Sequence, residues 1–173
     1  IILLFTLFIV SFFPTASSQT PAIENLEKEL AAHNRIDTTR VNLLNKLGYE
    51  LYAIDSGKAG EYAQEAQKIS TRLNYPAGEA ASLWVTGLII RNTPKKALEH
   101  FERALSIAER IKDPTSICNY LLAISSIQKA MGNIKASDEA IEKGLQASTV
   151  LKDPDIRIKL LYNSATNLTS KGQ

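Results

Sequence analysis

Residues 97–108 read ALEHFERALSIA, and residues 59–70, thirty-eight positions earlier, read AGEYAQEAQKIS. Both open on a small residue, Ala59 or Ala97, and place another seven residues later, at Ala66 and Ala104. A third copy, ASDEAIEKGLQA (136–147), carries Ser137 and Gly144 at the same positions with one shift of register. Between each small pair lies Ala63, Phe101 or Ile141. Intervals of four and seven put these positions on one face of a helix.

Ahead of each copy runs a second repeated stretch: LLNKLGYEL (43–51), SLWVTGLII (82–90) and YLLAISSIQ (120–128), with LLYNSATNL (160–168) as a fourth. Its large apolar residues are Leu44, Leu47 and Leu51, then Leu83 and Ile90, Leu121 and Ile124, and Leu161 and Leu168. That is the stripe of a helix burying one side. Small residues recur within it at Gly48, Gly87, Ser125 and Ala165. The punctuation repeats as well. Lys112-Asp113-Pro114 returns as Lys152-Asp153-Pro154, and Gly132 returns as Gly172, forty positions on in both cases. Asp113, Asp153 and Thr93 each set a capping oxygen before a proline at the expected first helical position. Residues 74–78 and 131–133 read as breaks between helices. No stretch alternates with period two, so the chain is predicted to be all-α, in units of two helices and about 39 residues.

This pattern resembles the tetratricopeptide-repeat (TPR) family over residues 37–173. The likeness implies a right-handed α-solenoid of helix-turn-helix units, about three and a half repeats long. They fall at about 40–75, 79–112 and 115–151, with a partial repeat at 154–173. Small side chains let the helices of a hairpin approach, and large ones fill the gap to the next hairpin. Thr86, Ser164 and Gln128 depart from the family's apolar choices. Residues 19–36 form a lead segment whose helix, from Ala22 to Ala32, carries Ile23, Leu26 and Leu30 to cover the first repeat. The fourth repeat stops where its second helix is due. The reading is that the chain continues, and that Leu161 and Leu168 leave an uncapped end able to self-associate.

The family's groove positions, carried over residue by residue, fall on Asn42, Asn45, Tyr49 and Tyr52 in the first repeat. They continue through Trp84, Leu88 and Arg91 in the second, and Asn119, Leu122, Ser126 and Lys129 in the third. Tyr162 and Thr166 follow in the fourth. The resemblance implies a protein or peptide partner in that groove. Asparagine amides can bond an extended backbone, and tyrosine and tryptophan are the anchors enriched in binding hot spots. The two-cation clamp with which some family members hold a C-terminal carboxylate has no counterpart. Its positions carry Asn45, Tyr49, Val85, Leu122 and Ser126.

The bulk composition fits this class. Apolar residues make up 45% and charged residues 22% of 173, enough for a packed core. Twenty Lys and Arg against eighteen Asp and Glu give a net charge of +2, which is no footprint for nucleic acid. Cys118 stands alone, so no internal disulfide is expected, and it is read as a packed, inert thiol. His33 and His100 lie far apart in sequence, with no metal-ligand spacing. No phosphate-cradling glycine loop, GxSxG, HExxH or CxxC is present. The reading is therefore not an enzyme, and no cofactor is expected. Asn167-Leu168-Thr169 matches a glycosylation acceptor but falls inside a predicted helix.

Residues 1–13 read IILLFTLFIVSFF, and the first charge in the chain is Glu24. Thirteen residues fall short of the roughly 20 that span a bilayer, and fit the apolar core of a signal peptide. With Ala16-Ser17-Ser18 offering small residues for cleavage, residues 1–18 are read as a signal peptide and the chain as exported and periplasmic. The leader, the lead helix and RVNLLNKLGYELY (40–52) are similar to the periplasmic TPR regions of bacterial membrane sensor kinases and regulators. The function expected is ligand sensing or protein binding in signal transduction, with membrane attachment through a region beyond Gln173. A free periplasmic adaptor, or the non-catalytic part of a longer enzyme, are the alternatives.

Overall fold

The structure is a computed structural model describing residues 20–170, with side chains to residue 169. The proposed signal peptide and the last three residues lie outside the described residues. The order is α1 (Pro21–Ala32), α2 (Thr38–Leu51), α3 (Ser56–Leu73), α4 (Pro76–Ile89), α5 (Pro94–Ile111), α6 (Pro114–Ala130), α7 (Ile134–Ala147), a 3-10 turn (Ser148–Val150) and α8 (Asp155–Ser170). The fold is all-α, with no strand among the described residues.

Local chemistry sets the boundaries. Asp37, Asp55 and Asp113 each accept a backbone N–H of the first turn they precede, from Arg40 at 3.2 Å, Lys58 at 3.0 Å and Thr115 at 3.1 Å. Such caps satisfy donors that the helix itself leaves open. Thr93 precedes Pro94 as expected, but its hydroxyl makes no capping bond. Pro154 stays outside α8, where Asp153 instead accepts from the N–H of Asp155 at 2.9 Å. Helices α3 and α5 end on residues in the left-handed conformation, Asn74 (φ 49°) and Lys112 (φ 56°). The next N–H then reaches back to close the last turn, Tyr75 to Ser70 and Asp113 to Ala108.

The expected break at residues 74–78 is shorter than predicted. Helix α4 starts at Pro76, so Gly78 lies inside it. A Cβ there would sit 2.5 Å from Cγ1 of Val41. The glycine is needed for close approach of α4 to α2, not for a turn.

Each helix packs on the next in sequence, and α2 also touches α4, α4 touches α6 and α6 touches α8. The even-numbered helices therefore form one contiguous layer, with α3, α5 and α7 behind it. The hairpin interiors are built on small residues. Ala59, Ala66, Ala97, Ala104, Ser137 and Gly144 are all buried. Phe101, 1% exposed, fills the space between α4, α5 and α6, with Leu121, Ile124 and Ile127 around it. Burying such a ring stabilises the fold by about 1.5–3 kcal/mol. It fits only because Gly87 faces it, where a Cβ would lie 2.4 Å from the ring. Ile23 and Leu26 of α1 close the first hairpin against Leu47, Leu51 and Ala59, while Leu30 is half-buried. At the other end, Leu161 and Leu168 of α8 are 48% and 46% exposed.

Candidate functional site

Three depressions run along the even-numbered layer and merge. The first, about 350 Å³, lies between α2 and α4 and is bordered by Asn42, Asn45, Lys46, Tyr49, Trp84 and Asn119. The central one, about 360 Å³, is walled by Tyr49, Tyr52, Trp84, Leu88 and Arg91. Phe101, Ala123 and Ile127 join its lining, with Asn119, Leu122, Ser126 and Lys159 on the far side. The third, about 350 Å³, lies between α6 and α8 along Leu122, Ser126, Ile158, Lys159, Tyr162 and Asn163. Shared residues join each to the next: Tyr49, Trp84 and Asn119 on one side, Leu122, Ser126 and Lys159 on the other.

An aromatic ladder crosses this surface. Tyr49 stacks on Trp84 with centroids 4.8 Å apart, Tyr52 lies tilted 5.7 Å from Tyr49, and Tyr120 lies 5.7 Å from Trp84. The guanidinium of Arg91 sits 5.6 Å from the Tyr52 ring centre, a cation–π position. Desolvation raises the pKa of the Tyr49 phenol, and burial pushes that of Tyr120 up to about 12. Both are neutral at physiological pH. Tyr120 is 3% exposed and supports the ladder from below, whereas Tyr49 is 39% exposed.

The amides divide into two kinds. Asn45 is 6% exposed, and its Nδ2 donates to the carbonyl of Gly78 at 3.0 Å, tying α2 to α4. Its Oδ1 is buried with no partner among the described residues, as is Nε1 of Trp84. Asn42 is exposed and accepts from the Tyr75 hydroxyl at 3.1 Å. Asn119 is half-buried where two depressions meet, and no hydrogen bond engages its amide among the described residues.

Among the residues singled out from sequence, Lys129 lines none of the three depressions. It sits half-buried in the last turn of α6. Thr166 is half-buried and also lies outside their linings. The sequence reading missed Lys159, although it stands forty residues after Asn119 and the repeat spacing alone points to it.

Elsewhere, Cys118 is fully buried with its Sγ 3.5 Å from the carbonyl of Gly144, and burial raises its pKa. Asn167 is 0% exposed and donates to Ser137 and Asp138 at 2.9 and 2.7 Å, so the acceptor motif is closed to a glycan. Among the described residues no His, Cys, Asp and Glu cluster could hold a metal ion, and no helix is long and apolar enough to cross a membrane. A scan of the chain against protein-family models and a search of curated proteins both return no match.

Proposed function

We propose that the chain is a TPR-type right-handed α-solenoid of about three and a half repeats that acts as a protein-interaction module and not as an enzyme. The groove along α2, α4, α6 and α8 receives an extended segment of a partner. One observation carries this reading. Tyr49 and Trp84 come from successive hairpins, yet stack side by side in a cleft with Tyr49 still well exposed. Stacked aromatics left at a surface are the usual anchors of a binding hot spot. The buried, unpartnered polar atoms of Asn45 and Trp84 lie in the same wall. Such orphans are costly in native proteins, and those of His100 and Asn167 lie outside the groove.

The test compares both faces. With a partner captured from an extract of exported proteins, Tyr52→Ala and Trp84→Ala are expected to weaken binding by more than about 1 kcal/mol each. Lys68→Ala and Glu102→Ala, exposed on α3 and α5 behind the layer, are expected to change nothing. The opposite result assigns binding to the outer face. The only tryptophan, Trp84, reports occupancy by its fluorescence.

We read the module as exported and as the first part of a signalling protein, on the strength of the leader-like residues 1–18 and the likeness of residues 40–52 to periplasmic sensor regions. The gene beyond Gln173 tests this. An apolar stretch of about 20 residues followed by a signalling domain supports it, and a stop codon after one further helix overturns it.

A further inference from the structure

The groove has a charge bias that the whole chain lacks. Lys and Arg nearly balance Asp and Glu, 20 against 18. Yet no Asp or Glu lines any of the three depressions, while each carries a cation: Lys46 in the first, Arg91 in the central one, and Lys159 where the central and third meet. All three are exposed. None forms an ion pair among the described residues; the carboxylates that are paired answer Arg35, Arg40, Lys58 and Lys135, and one answers His33.

We infer that the groove selects an acidic, extended protein segment that seats one bulky apolar or aromatic side chain in the central depression between the Tyr49–Trp84 stack and Arg91. The inference rests on the groove reading above and adds the chemistry of the partner. Packed helices stand about 8–10 Å apart, so the layer from α2 to α8 spans roughly 25–30 Å. At about 3.3 Å per extended residue, that is a segment of about eight or nine residues. The central depression falls within the size range of sites that enclose a ligand group. Its walls are aromatic and its lining includes buried Phe101 and Ile127. The uncommitted amide of Asn119 at the junction offers a donor and an acceptor to the segment's backbone. The exposed cations steer and discriminate more than they hold, because charges in water are screened by salt. The anchor supplies most of the affinity.

The experiment uses three fluorescein-labelled nonapeptide pools with a fixed central phenylalanine and degenerate flanks of Asp/Glu, Ser/Gly or Lys/Arg, read by anisotropy at low and high salt. A single-stranded oligothymidylate of nine nucleotides is the fourth probe. The expected result is that the acidic pool binds at least about tenfold more tightly than the basic one, with a preference that narrows at high salt. Replacing phenylalanine by alanine should abolish binding. Arg91→Glu/Lys159→Glu, at exposed positions outside the core, should reverse the ranking of the pools, with circular dichroism unchanged. A neutral or basic pool that binds as well as the acidic one, in a way lost on Trp84→Ala, overturns the charge inference and leaves the groove reading standing. Failure of every pool overturns both. Oligothymidylate binding as tight as the acidic pool overturns the protein partner in favour of a nucleic acid.

Discussion

The indole of Trp84 and the ring of Tyr49 lie 16° from parallel, and their stack joins α4 to α2 at the surface as Asn45 and Gly78 join them beneath. The two rings lie on different hairpins, so whatever fixes one fixes the angle between the hairpins. If the stack couples them, Tyr49→Ala and Trp84→Ala should be non-additive in stability. A double-mutant cycle by urea unfolding is expected to give a coupling of about 0.5–1.5 kcal/mol. Strict additivity means the rings touch without tying the hairpins together.

Two glycines should respond in opposite directions to the same change. Gly87→Ala drives a methyl into the buried ring of Phe101 and is expected to cost about 1–3 kcal/mol. Gly60 sits within α3 with nothing within 4 Å of its would-be Cβ. Gly60→Ala is expected to stabilise by about 0.5–1 kcal/mol, because alanine loses less conformational freedom in a helix. Equal urea midpoints for the two variants refute this assignment of space.

Asp37 should contribute to the acid limb of the stability curve. The hydrogen bond with Nε2 of His33, at 2.8 Å, is the main influence holding its carboxyl below the usual 3.8, and the Arg40 N–H adds to it. A carboxyl with a lowered folded-state pKa contributes stability above its unfolded value and loses it as pH falls through the folded one. Asp37→Asn keeps the helix cap and removes the charge. Thermal unfolding of this variant is expected to fall less steeply than wild type below about pH 3.8. Parallel curves down to pH 2 remove Asp37 from the acid response.

Exposed apolar residues line one side of α8. Ile158, Leu161 and Leu168 fall forty residues after Cys118, Leu121 and Gln128, and the first two of those are buried by α7. On α8 the same stripe is 58%, 48% and 46% exposed. Such a surface associates. Sedimentation at rising concentration is expected to show self-association that Leu161→Lys/Leu168→Lys abolishes. A monomer at every concentration means the stripe stays solvated.

The hairpin scaffold was legible in the sequence because its rule is steric and periodic. Ala59, Ala66, Ala97 and Ala104 are small since a helix passes close by, and that constraint repeats with the unit. Gly78 was misplaced because glycine after Tyr75-Pro76 reads as a turn, when its missing side chain instead admits Val41. The inward turn of Asn45 was illegible for another reason. Its partner is a backbone carbonyl thirty-three residues away, and composition does not record backbone acceptors. Asn167 is buried by side-chain partners instead, Ser137 and Asp138, which lie thirty and twenty-nine residues earlier and reach it only once α7 and α8 have packed. The groove-facing positions carry no shared residue type, so only the repeat spacing marks them. That spacing leads from Asn119 to Lys159.

The first and last described helices, α1 and α8, are covered unequally. Ile23 and Leu26 of α1 shield the first hairpin, and nothing among the described residues shields the outer stripe of α8. Where each unit leans mainly on its neighbours, opening spreads along the chain as a front and not all at once. Amide protons should therefore exchange soonest in α8, later in α6 and α7, and latest toward α2 and α3. Opening is then expected to start at α8, and a ligand bound across α4, α6 and α8 would hold that helix in place.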